Sequence, residues 1–149
     1  MSQTAQESVD EILERFNSVW EDTGHPVVWQ DIPISADLQK MIDGADGVEL
    51  TPYARVTVRS NRRRQTTVGQ TGARKYEGNG VLFVEIFTPT GDGLVTTRAL
   101  AEIVRDAYET PNVSSYHTWY GEVRTQENGS EGLWSRITVT IEWTYEQIK

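Results

Sequence analysis

Apolar residues return every three or four positions from Val9 through Ile12, Leu13, Phe16 and Val19 to Trp20. That spacing predicts one amphipathic helix, roughly Thr4 to Glu21, with acids between the apolar positions. "DTGHP" ends it, because Gly24 accepts a left-handed cap conformation and Pro26 cannot continue the helix. "PVVWQDIP" predicts a short strand at Val27 to Gln30. The stretch Asp31 to Pro52 is mixed: "ADLQKMIDG" suggests a helical turn or two, and "DGADG" is turn chemistry.

The period then changes to two. In "YARVTVR" Ala54, Val56 and Val58 fall on one side and Arg55, Thr57 and Arg59 on the other, which predicts a strand with one wet face. "GVLFVEIFTP" is apolar on both faces apart from Glu85, as expected of an inner strand. The two read as a hairpin whose long tip, "RSNRRRQTTVGQTGARKYEGNG", shows neither period and reads as a loop. Loops of that length are usually functional or mobile.

"TPTGDG" breaks the strand, with Asp92 placed to cap a second helix carrying Leu100, Ile103, Val104, Ala107 and Tyr108, and Pro111 just past its end. Tyr116 to Arg124 and "LWSRITVTIEWTY" close the chain as two strands across the loop "TQENGSEG". In the last strand Ile137, Val139, Ile141, Trp143 and Tyr145 face one way, and Arg136, Thr138, Thr140, Glu142 and Thr144 the other. The pattern predicts a single α+β domain over residues 1–149: an antiparallel or mixed sheet of four to five strands, two main helices packed on one face, and a long hairpin loop.

Composition narrows the function. The chain has 149 residues and a formal charge of −8, enough to bury a real core. It has no cysteine, so disulfides and thiolate chemistry are excluded. No apolar run approaches the ~20 residues of a membrane helix. The acidic start, with Glu7, Asp10, Glu11 and Glu14, is unlike a signal peptide, so the expected place is a cytosol or a particle assembled there. Charge is uneven: Ser60 to Tyr76 holds five cations and no acid, leaving −13 for the rest. An acidic body opposes general nucleic-acid binding. A basic tip on it suits an acidic partner, another copy of the same body among them.

Catalytic chemistry finds no foothold. His25 reads as a turn residue and His117 as a packed strand residue, with no nucleophile paired to either. "GQTGARK" departs from a phosphate loop, since two residues separate Gly69 from Gly72 and Tyr76 follows Lys75. "DGADGVE" lacks the ligand spacing of a calcium loop and reads as a solvated turn. We therefore expect no catalytic, cofactor-binding or metal-binding residues. Five tryptophans are many for this length. Trp20 and Trp143 lie on apolar faces, while Trp119 and Trp134, in the closing strand pair, could face each other or mark a subunit seam.

"VTVRSNRRRQTTVGQTGARKYEGNGVLFVEIFTPTGDG", with "FNSVW" and "PVVW" before it and "WYGEVR…GLWSRITVTIEWTY" after, resembles the tail terminator (tail-completion) proteins of long-tailed bacteriophages. Ser35 to Thr51 is longer than the resemblance implies, and nothing carries over onto it. The resemblance implies a structural virion protein without cofactors. It implies a homohexameric ring at the head-proximal end of the tail tube, which stops polymerisation and receives the head connector. DNA passes through the lumen, and no membrane is involved. Residence in the virion follows, with assembly in host cytoplasm. On that reading the partner-binding loop is Arg62, Arg63, Arg64, Gln65, Arg74, Lys75 and Tyr76. Arg62 to Arg64 reach an acidic surface, and Arg74 and Tyr76 anchor the loop's return. The alternatives are another head–tail connector protein, a small nucleic-acid-binding domain using Arg62 to Arg64, and an enzyme whose site has no recognisable motif.

Overall fold

The computed structural model describes residues 4–109 and 118–149. Helix α1 spans Ala5–Trp20. Thr4 is its N-cap in a capping box, accepting from the Glu7 amide while Glu7 reaches back to the Thr4 amide. Gly24 follows a short 3-10 turn with φ 72°, as the Gly-His-Pro sequence requires. Strand β1 (Val27–Trp29), helix α2 (Ala36–Asp43), strands β2 (Tyr53–Gln65) and β3 (Lys75–Pro89), helix α3 (Gly93–Glu109) and strands β4 (Thr118–Glu131) and β5 (Trp134–Ile148) complete the chain. Pro111, Tyr116 and His117, to which the sequence assigns a helix end and a strand start, lie outside the described residues.

The five strands form one mixed sheet in the order β1-β2-β3-β5-β4, with β1 parallel to β2 and the other pairs antiparallel. The sheet is α+β as its alternation predicts. Helices α1 and α3 cover one face. Ile12, Phe16 and Trp20 of α1 and Leu100, Ala101, Val104 and Tyr108 of α3 meet Ala54, Val56, Leu82, Val84, Ile86, Ile137, Val139, Ile141 and Trp143 of the sheet. The Tyr108 hydroxyl donates to the Ile12 carbonyl at 2.7 Å and ties the two helices together. Burial pushes its pKa well above the usual tyrosine value. Ile103, which the helical spacing assigns to the core, is exposed instead, and Thr97 takes an inward position bonded to Thr88.

The opposite face is covered at one end only. Residues 31–52 fold back over it, and Val28, Met41 and Tyr53 form a second small core with Leu38, Ile42, Phe87 and Trp134. The Trp134 indole donates to the Ile42 carbonyl at 3.0 Å, in the last turn of α2. Trp119 and Trp134 therefore do not face each other. Trp119 pairs with Thr144 and Trp134 with Glu131, at opposite ends of β5. Trp119 is 47% exposed.

Both hairpins are longer than the alternation predicts. "TQENGSEG" is strand as far as Glu131, and the supposed long loop is strand up to Gln65 and again from Lys75. The arms of β2 and β4 are wet on both sides, so no hydrophobic period marks them; backbone pairing makes them strands.

Candidate interaction interface

The basic segment is a paired β-ribbon and not an open loop. Arg62, Arg63, Arg64 and Gln65 pair with Asn79, Gly78, Glu77 and Tyr76, and β3 pairs on its other side with the end of β5 from Thr144 to Ile148. Only residues 66–74 form the tip. Within the tip the Thr66 amide bonds the Lys75 carbonyl at 2.8 Å. The Arg74 guanidinium donates to the Gly69 carbonyl at 3.0 Å, and the Arg74 and Lys149 backbones exchange hydrogen bonds. The Lys75 ammonium pairs with Glu146.

A bulge decides which arginines act together. The register slips by one residue between Ser60 and Arg62, so Asn61 has no partner on β3. Before the slip Arg55, Thr57 and Arg59 share the face away from α1 and α3, paired with Glu85, Phe83 and Val81. Without it, alternation would put Arg62 and Arg64 on the helix side. With it, they lie opposite Asn79 and Glu77, on the same face as Arg55 and Arg59. Arg63 points the other way, bonded to Gln147 at 2.7 Å and 5.0 Å from the centre of the Tyr76 ring. The three consecutive arginines are thus divided, two joining a column and one stapling the ribbon to β5.

The column rests on aromatic rings. The Arg55 guanidinium sits 5.7 Å from the Phe87 centroid and that of Arg59 6.0 Å from Phe83. Elsewhere on this face cations are matched: Arg136 pairs with Glu85 at 3.2 Å and Arg124 with Glu142 at 3.5 Å. Among the described residues, no ion pair engages Arg55, Arg59, Arg62 or Arg64. Sequence reading singled out Arg62 and Arg64 but left out Arg55 and Arg59. Their alternation was visible; the bulge that aligns them with the ribbon was not.

The same strand presents an unpaired edge. Short β1 reaches β2 only from Ala54 to Val56. The Gln30 side chain then accepts from the Val58 amide at 2.8 Å, adding one more rung. Asp31, with φ 60°, turns the chain away, and no described strand pairs with the outer edge of β2 beyond that point.

On the far side of the molecule Asp10, Leu13, Glu14, Asn17, Glu21 and Trp29 line an open groove of ≈540 Å³. Among the described residues, no group of three or more His, Asp or Glu side chains is placed to hold a metal ion. No helix among them is long and apolar enough to cross a membrane.

Residues 9–143 match the family model described as phage tail terminator protein. No curated protein matches by sequence. Among solved structures, one whose title states no activity is similar over 96% of both chains, with a TM-score of 0.60 and 15% identity. At that identity the likeness speaks for the fold alone.

Proposed function

Since this chain belongs to the phage tail terminator family, a family of structural tail proteins, we propose that it caps the head-proximal end of the tail tube. In that role it ends tube polymerisation and forms the joining surface for the head connector. It works as a homohexameric ring through whose lumen the genome passes, resident in the virion and making no covalent bonds. The observation that carries the reading is the family match over residues 9–143. The basic ribbon on an acidic chain supports it, because charge complementarity selects partners and register without chemistry. In a closed ring each copy offers the same two heterologous patches, so every copy would present the ribbon to one end.

Tails assembled without this protein test the reading. Tubes of uncontrolled length lacking heads are expected; normal virions would overturn it. The structure also sharpens the choice of variant. Arg62→Glu with Arg64→Glu should fold and fail to cap tubes, since both side chains are exposed. Arg63→Glu alone should cap more nearly as the parent does, because Arg63 is engaged within its own subunit by Gln147 and Tyr76.

A further inference from the structure

Two independent features coincide on β2. One is a backbone edge that β1 leaves unpaired beyond Val58. The other is the column Arg55, Arg59, Arg62 and Arg64, on one face and without ion pairs among the described residues. Backbone groups along an edge bind any extended chain, while side chains at alternate positions choose which one. We propose that the outer edge of β2 from Arg59 to Gln65 receives an extended segment of another protein, with acidic side chains at alternate positions. The segment is added to the sheet as a strand collinear with β1. The inference deepens the reading above and rests on it, since it names how the ribbon holds its partner.

The geometry favours a strand over other occupants. Thr66 donates to Lys75, so on an antiparallel ladder Arg64 and Arg62 also direct their backbone groups at β3. The amides of Arg63 and Gln65 then face outward, where an incoming strand would meet them. Such a strand would carry every second side chain over the arginine column. Asn61 is what makes this work, since its bulge keeps the column continuous with the edge. A second copy of this chain fits poorly. Its acids Asp10, Glu14 and Glu21 sit on helical turns, and the paired positions of β4 on the same sheet face offer a single acid, Glu131, beyond Trp119, Arg124 and Gln126 and not an alternating row. Charges and a bulge also serve to protect an edge from stray pairing. Protection is indifferent to sign, however, whereas four cations that no ion pair engages among the described residues discriminate on a chain of charge −8.

The test uses the full-length protein and three probes: a peptide of alternating glutamate and threonine, a peptide of the same composition with its glutamates in one block, and a single-stranded oligothymidylate. The alternating peptide is expected to bind at least about tenfold more tightly than the blocked one, because only it aligns charge with the ladder. It should also slow amide exchange at Arg63 and Gln65. Arg62→Glu with Arg64→Glu should abolish that preference. Deleting Asn61 should leave the preference intact, because Arg62 would then follow Ser60 in unbroken alternation and stay opposite Asn79. Equal binding of the blocked peptide, tighter binding of the oligothymidylate, or unchanged exchange at both amides would overturn the proposal. A protein that caps tubes yet ignores the alternating peptide sinks this docking mode alone. One that binds the peptide but caps no tubes sinks the reading beneath it.

Discussion

Gly78 and Gly80 stand in "EGNGVL", which reads on paper as the end of a loop. In the sheet they occupy inward positions of β3, and the rings of Tyr145 and Trp143 lie across them. A methyl group on Gly80 would run into the Arg59 backbone carbonyl as well as the Trp143 ring. A methyl group on Gly78 would meet only the Tyr145 ring among its nearest atoms. The difference predicts an order. Gly80→Ala should cost about 2–3 kcal/mol, since a paired backbone cannot retreat. Gly78→Ala should cost roughly 1 kcal/mol, as one ring can tilt. Urea unfolding of both variants checks it; a costlier Gly78→Ala would show that the ribbon's base is held by Tyr145 and not by the ladder. His25 carries a smaller effect. Burial lowers its pKa, so the folded state binds the proton less readily than the unfolded chain. Stability should therefore fall as pH drops below the ordinary value of 6.5 and level off under the folded pKa. His25→Gln should flatten that part of the pH profile.

Elements with one dry face were legible and elements with two wet faces were not. Helix α1 came out within a residue at each end, because Ile12, Phe16 and Trp20 are spaced for one core and Thr4 and Gly24 punctuate it. The inner parts of β2 and β5 followed from alternation over the same core, and that of β3 from being apolar on both faces. Their outer arms did not, since Asn61 to Gln65 and Thr125 to Glu131 bury nothing whose period could be read. The candidate site shared that fate. Its residue types were visible, but whether Arg62 and Arg64, or Arg63 instead, share the face of Arg55 and Arg59 depends on a single unpaired residue. Helix α2, expected as a helical turn or two and found over Ala36–Asp43, gave a fainter signal for another reason: its apolar residues serve a second core that exists only once Tyr53, Phe87 and Trp134 come together. Tyr53 stacks on Phe87 at 4.7 Å and meets Trp134 edge-on at 5.0 Å. Trp134→Phe would keep most of that packing but leave the Ile42 carbonyl without its indole partner. We expect a loss of about 1–2 kcal/mol, with amide exchange quickening across α2 while α1 and α3 hold. Equal quickening in all three helices would mean that the two cores unfold as one.

At the scale of the whole molecule charge should act in opposite directions on the two interfaces proposed above. Outside Ser60 to Tyr76 the chain carries −13, so copies brought side by side repel over distances that salt shortens, from about 30 Å in 0.01 M to about 8 Å at 0.15 M. On the proposed ring reading, a subunit contact that leaves the β2 edge free and does not set bases against acids should thus form more readily as salt rises. The ribbon obeys the opposite rule: its arginines attract acidic groups, and screening weakens that attraction. Sedimentation velocity of the purified protein across a salt series should therefore show self-association growing or holding with ionic strength, while binding of an acidic peptide to the ribbon falls. The opposite result would be informative at once. If added salt dissolved the oligomer, the subunit contact would itself be basic against acidic. The groove of Asp10, Glu14, Glu21 and Trp29 would then be the natural seat for a neighbour's arginines. In that case Arg62 and Arg64 would be spent on the ring, and the edge of β2 would no longer be free for an outside strand.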